Sequence, residues 1–106
     1  MASVASRDAV FDALADPTRR QVLTLIGEHG EATASALARE LPVSRQAIQK
    51  HLASLSAAGL VAAKREGREV RYRLTPAPMS DAVSWMASVG GQWDSRLAAL
   101  ARHLSR

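Results

Sequence analysis

Arg45, Gln46, Gln49 and Lys50 crowd into a six-residue stretch. Their side chains suit one kind of chemistry in particular. A guanidinium fork matches the O6 and N7 acceptors of guanine, and a carboxamide matches N6 and N7 of adenine. A second group follows: Lys64, Arg65, Arg68, Arg71 and Arg73 around Gly67. Cations on an extended, turning segment suit phosphates, supplying affinity more than sequence reading. The charge is concentrated there. Residues 44–73 hold seven Lys/Arg against two acids, a net of +5, while the rest of the 106-residue chain carries a net of −1.

Other chemistries lack their residues. No nucleophile stands near a base, and there is no glycine-rich phosphate loop and no paired-carboxylate motif, so an enzyme is not expected. With no cysteine, disulfides and thiolate metal sites are excluded and a cytoplasmic location is expected. His29, His51 and His103 are scattered without metal-ligand spacing. Neither a metal nor any other cofactor is expected. The opening MASVASRDAVFDALA has no basic segment leading into an apolar one, and no apolar run reaches membrane-span length, so neither a secretory signal nor a membrane partner is expected.

The elements that position these residues follow from periodicity and punctuation. A short helix is predicted over 7–14, with Val10, Phe11 and Leu14 on one side. Asp16 and Pro17 suit a cap and first helical position for a second helix over 17–27. Thr33 opens a third helix over 34–41, which Pro42 stops. Ser44 precedes a fourth helix over 45–58, in which Ile48, Leu52 and Leu55 form one apolar stripe and Gly59 marks the end. The third and fourth helices, joined by Pro42-Val43-Ser44, make a helix-turn-helix over 34–58.

After Gly59 the period changes. Glu69 to Leu74 alternates polar and apolar, placing Val70, Tyr72 and Leu74 on a buried face. With the residues from Val61 onward and the Gly67 turn, this predicts a hairpin over 61–74. A last helix is expected over 79–104. There Met79, Val83, Met86, Gly90, Trp93, Leu97, Leu100 and Leu104 form a heptad-like seam, and Gly90-Gly91 is a candidate bend or break.

The order is helix, helix, helix-turn-helix, basic hairpin, helix. This is a mainly α chain with a small β-hairpin, an α+β winged helix-turn-helix in one domain over 1–106. Its candidate DNA-contacting residues are Ser35, Ser44, Arg45, Gln46, Gln49, Lys50, Lys64, Arg65, Arg68 and Arg71. Arg, Gln and Lys also serve as plain solvated helix formers, and charged strands discourage aggregation. Placement on a helix-turn-helix and its wing favours DNA. Thr33 serves equally well as a simple cap or beside a phosphate. The apolar residues at the two ends, Val10, Phe11, Leu14, Met86, Trp93, Leu97, Leu100 and Leu104, exceed what a chain of this size usually buries alone. They are expected at a two-fold homodimer interface.

LADPTRRQVLTLI, and then ALARELPVSRQAIQKHLASLSAAGLVAAKREGREVRYRL, resemble the ArsR-type (arsenic-repressor-like) winged-helix regulators over residues 8–75. The resemblance implies a homodimer built from the first and last helices. It implies double-stranded operator binding through the helix after Ser44 and the wing, and repression relieved by an effector. The chain departs from the metal-sensing members. Ala34, Ser35, Ala36 and Leu37 stand where arsenic-type sensors carry cysteines, and Asp81 with His103 does not reproduce the zinc-type ligand set. The alternative is a winged-helix protein-interaction module, for which a neutral recognition helix and wing are expected.

Overall fold

The Asp16 to Arg20 run, the cap and first turn of the second helix, serves two helices. In the structure, a computed structural model describing residues 4–104, α1 spans Val4–Leu14 and α2 spans Pro17–His29. The side chains of residues 4–6, Trp93, Leu97, His103 and Leu104 are not among those described. The Asp16 carboxylate accepts the Arg19 backbone N–H at 3.1 Å, and Pro17 takes the first helical position, where no N–H is missed. The same stretch closes α1. Arg19 Nη1 donates to the carbonyls of Asp12 and Ala13 at 3.3 and 3.4 Å, and Arg20 Nη1 to that of Leu14 at 2.7 Å. Cations thus cover the negative end of the α1 dipole and its last carbonyls.

β1 (Ala32–Thr33), α3 (Ala34–Glu40), α4 (Arg45–Ala57), β2 (Val61–Glu66), β3 (Glu69–Leu74) and α5 (Pro76–Leu104) follow. Thr33 Oγ1 accepts the Ala36 N–H, and Ser44 Oγ the Ala47 N–H, both at 3.1 Å. At the far end of α4, Leu60 N–H reaches the Leu55 carbonyl and Gly59 N–H that of Ser56, each at 2.9 Å. Gly59 sits at φ +76°. These paired bonds form a Schellman closure, with Leu60 packing where the motif places its apolar residue.

The wing is the expected β2–β3 hairpin with β1 added as a third strand, an antiparallel sheet in the order β1-β3-β2. β1 pairs Ala32 with Tyr72 and Thr33 with Arg71. Two residues are too few to register as a strand by periodicity. β2 and β3 join through Gly67-Arg68. Only the first of these has positive φ, +64°, the pattern of a II′ turn with glycine leading. Leu74, expected inside, is 38% exposed, because it lies at the strand end where the chain turns into α5.

Ile48, Leu52 and Leu55 are fully buried and meet Val22, Ile26, Leu37 and Leu60. No polar side chain is buried among the described residues. This core fixes α4 against α2 and α3, leaving its opposite face to solvent.

α5 starts three residues earlier than expected. Pro76 and Pro78 stand in its first turn, where the lack of N–H donors is harmless. It then runs unbroken through Gly90-Gly91 for 29 residues, about 43 Å at the usual rise. Its early turns pack on α1. Arg7 pairs with Asp81 at 3.7 Å and lies 5.6 Å from the Trp85 ring centroid. The Phe11 and Trp85 centroids are 5.5 Å apart at 60°. Val10, expected at a partner interface, is covered by its own protomer instead.

Candidate nucleic-acid interface

α4 presents two polar rows. Arg45 and Gln49, four residues apart, share one face, and Gln46 and Lys50 share the next. All four are exposed. The Arg45/Gln49 row borders a cleft of 320 Å³ between the helix-turn-helix and the wing. Ser35 and Arg39 of α3 form a second side. Arg68, Glu69, Val70 and Tyr72 of the wing form the third. Four of the residues singled out from sequence, Ser35, Arg45, Gln49 and Arg68, therefore meet in one place.

Arg39 was not singled out. It sits one turn after Ser35 on the same helix face, and that spacing was the signal available. Three guanidinium-bearing residues from α3, α4 and the wing thus border one cleft. Among the described residues, no carboxylate is ion-paired with Arg39, Arg45, Lys50, Arg65 or Arg68. Glu69, the one carboxylate in the lining, is ion-paired with Arg71, and a concave surface with a net excess of cations focuses its field on an anion.

The other candidates lie outside this cleft. Ser44 caps α4 at its edge. Its oxygen accepts the Ala47 N–H, which leaves the hydroxyl proton free to donate. On the ribbon, directly paired residues share a face. The register Lys64↔Arg71, Glu66↔Glu69 and Ala62↔Arg73 places Lys64, Arg71 and Arg73 together, with Arg65 on the opposite face beside Val70. Lys64 is exposed and 3.7 Å from Glu66. Arg65 is exposed, and its Nε donates to the Gly67 carbonyl at 3.4 Å.

Arg71 departs from its expected role. Its guanidinium contacts Glu31 at 3.2 Å, Glu66 at 3.4 Å and Glu69 at 3.2 Å. Surrounded by carboxylates, it is engaged within the protein. Arg73 likewise meets Glu31 at 3.4 Å. The sequence places Glu31 forty residues before Arg71, so no local pattern announces this pair.

A family profile for a helix-turn-helix domain matches residues 14–62. The transcriptional repressor SdpR of Bacillus subtilis (strain 168) is 33% identical over 88 residues, covering 83% of this chain and 97% of the relative. A solved ArsR-like transcriptional regulator from Rhodococcus sp. RHA1 is 45% identical and superposes with a TM-score of 0.79, over 94% of this chain and 93% of that one. The chain belongs to the ArsR family of winged helix-turn-helix transcriptional regulators. The homodimeric winged helix-turn-helix DNA-binding domain Mb0332 from Mycobacterium bovis is also similar, at 30% identity and a TM-score of 0.65, over 86% of this chain and 81% of that one.

As an ArsR-family member the protein is a DNA-binding transcriptional regulator and not an enzyme. Among its described residues no cluster of three or more His, Asp or Glu side chains is placed to hold a metal ion. None of its described helices is long and apolar enough to cross a membrane. Met86 and Leu100, singled out for a partner interface, are 46% and 53% exposed on α5. Phe11 and Leu14 are half-buried against the core. Trp93, Leu97 and Leu104 lie outside the residues whose side chains are described.

Proposed function

We propose that this ArsR-family protein represses transcription from the cytoplasm by binding a palindromic operator as a homodimer. The observation that carries this reading is the cleft where Ser35, Arg39, Arg45, Gln49 and Arg68 converge from three elements. In this reading the N-terminal half of α4 enters the major groove. Arg45 and Gln49 address base edges, and Gln46 and Lys50 flank them. Ser35, Ser44 and Arg39 line the phosphate backbone on one side, and Arg65 and Arg68 follow it along the wing. Arg71 takes no part in DNA contact. A two-fold pairing through α1 and α5 doubles a contact that a single recognition helix makes over only a few base pairs. An effector that relieves repression acts by shifting the dimer between DNA-competent and incompetent forms.

The test is binding to a DNA fragment from the protein's own promoter region, titrated at several salt concentrations. Tight binding at low salt that falls steeply as salt rises is expected, with a clear margin over a scrambled fragment. Affinity no better than that of an acidic control protein would refute the reading.

A further inference from the structure

Glu31 lies just ahead of β1, at the junction between helix-turn-helix and wing. Its two carboxylate oxygens divide between two wing cations: Oε1 accepts Arg71 Nη1 at 3.2 Å, and Oε2 accepts Arg73 Nη2 at 3.4 Å. The remaining edges of the Arg71 guanidinium face Glu66 and Glu69. Lys64, Arg71 and Arg73 are thus matched by three carboxylates, Glu31, Glu66 and Glu69. This face of the wing presents little net charge to a polyanion.

The same junction is also tied by strand pairing and by Ala32 and Ala34, which are buried in the core with Tyr72 packed against it. β1 is two residues long, paired only at Ala32↔Tyr72 and Thr33↔Arg71. Yet Thr33 caps α3, and α3 carries Ser35 and Arg39 on one side of the cleft. β3 carries Val70 and Tyr72 on the other, and the turn before it carries Arg68. The Glu31–Arg71 contact therefore joins the segment that leads into one wall to the strand that forms the other. An isolated exposed ion pair does little for a fold, but several charges joined through one guanidinium act as a network.

We propose that Arg71 and Glu31 are positioning residues, a clamp that fixes the wing against α3 so that the cleft keeps the width DNA requires. This rests on the cleft being the DNA interface. It reverses the expectation for a phosphate-contacting Arg71. If Arg71 touched phosphate, Glu31→Gln would remove a competing negative charge and tighten binding. As a clamp, Glu31→Gln loosens the wing and weakens binding.

The experiment compares Glu31→Gln, Arg71→Gln and the double variant with the parent and with Arg68→Ala. Operator affinity is measured across salt, and amide hydrogen exchange is followed by mass spectrometry without DNA. The expected results are about fivefold or greater weakening by either single variant and no further loss in the double. Their salt slopes stay at the parent value, whereas Arg68→Ala lowers the slope by about one. Peptides covering residues 31–36 and 69–74 exchange faster in both single variants, while those from α4 keep the parent rate. Glu31→Gln binding as tightly as the parent or tighter, or unchanged exchange at the β1–β3 seam, overturns the clamp. If the parent itself fails to bind DNA, the functional reading fails, and the exchange rates alone decide whether the clamp exists.

Discussion

Arg19 donates its backbone N–H to the carboxylate of Asp16 at 3.1 Å while its guanidinium reaches back to the carbonyl of Ala13. One residue thereby starts α2 and finishes α1. The backbone hydrogen bond from Arg19 is the main cause holding the Asp16 carboxyl below its ordinary pKa. The Thr18 N–H and the charges of His51 and Arg19 act in the same direction, against partial desolvation. A depressed folded-state value means that ionised Asp16 stabilises the fold above the unfolded carboxyl pKa of about 3.9. That contribution disappears as pH falls through the lower folded value. Asp16→Ala is expected to melt at a lower temperature than the parent at pH 7, with the gap narrowing as pH drops below about 4. Asp16→Asn keeps the cap acceptor and should retain most of the neutral-pH stability. Thermal melts between pH 2.5 and 7 check both, and an equal gap at every pH would contradict the assignment.

The helix-turn-helix and wing were legible because each depends on a local signal. Ser44, the Ile48/Leu52/Leu55 stripe and Gly59 bracket α4 within sixteen residues. Strict alternation marks β3. What stayed hidden was tertiary. Nothing near Arg71 reveals that Glu31 will meet it, and Arg39 gains its place only when α3 and the wing face each other across the cleft. β1 is too short for periodicity to detect. The prolines at 76 and 78 read as a strand terminator, but in a first helical turn they serve equally as a start. Gly90-Gly91 carries low helix propensity, yet the long helix continues through it.

Base reading and backbone anchoring should separate by mutation. Gln49→Ala and Arg45→Ala are expected to weaken discrimination at one operator position by about 1–3 kcal/mol each, as loss of a bidentate base contact does. Arg68→Ala and Arg39→Ala should weaken every sequence to a similar degree and flatten the salt slope by about one each. Binding measured against a set of single-base operator variants distinguishes the two patterns. Uniform, sequence-independent losses from all four would remove the division of labour.

Gly59 tests the closure of α4. Its φ of +76° belongs to the left-handed region, and an added Cβ would lie 3.4 Å from Pro78 Cγ. Gly59→Ala is expected to destabilise the fold by about 1–2 kcal/mol through that backbone conformation. Urea denaturation gives the number directly. A variant as stable as the parent would mean the Schellman closure is not held in solution.

The final prediction concerns the outer half of α5. Its first turns contact α1 and the core of its own protomer through Arg7–Asp81, the buried Ala82 and the tilted Phe11–Trp85 ring pair. Beyond them the helix carries Met86 and Leu100 at 46% and 53% exposure, with Val83 at 53% on the same seam. Such a stripe is seldom left facing water, and heptad spacing is what a second helix needs to cover it. Two copies related by a two-fold axis would each supply the missing face. Val10 cannot contribute directly, because its own core already encloses it. Met86→Glu and Leu100→Glu put a charge into that contact while leaving the protomer core untouched. Both variants should stay folded, sediment as monomers where the parent sediments as a dimer at micromolar concentration, and lose most operator affinity through loss of the second half-site. A folded parent that sediments as a monomer, or Met86→Glu and Leu100→Glu variants that both remain dimeric, would place the seam elsewhere than at a two-fold interface.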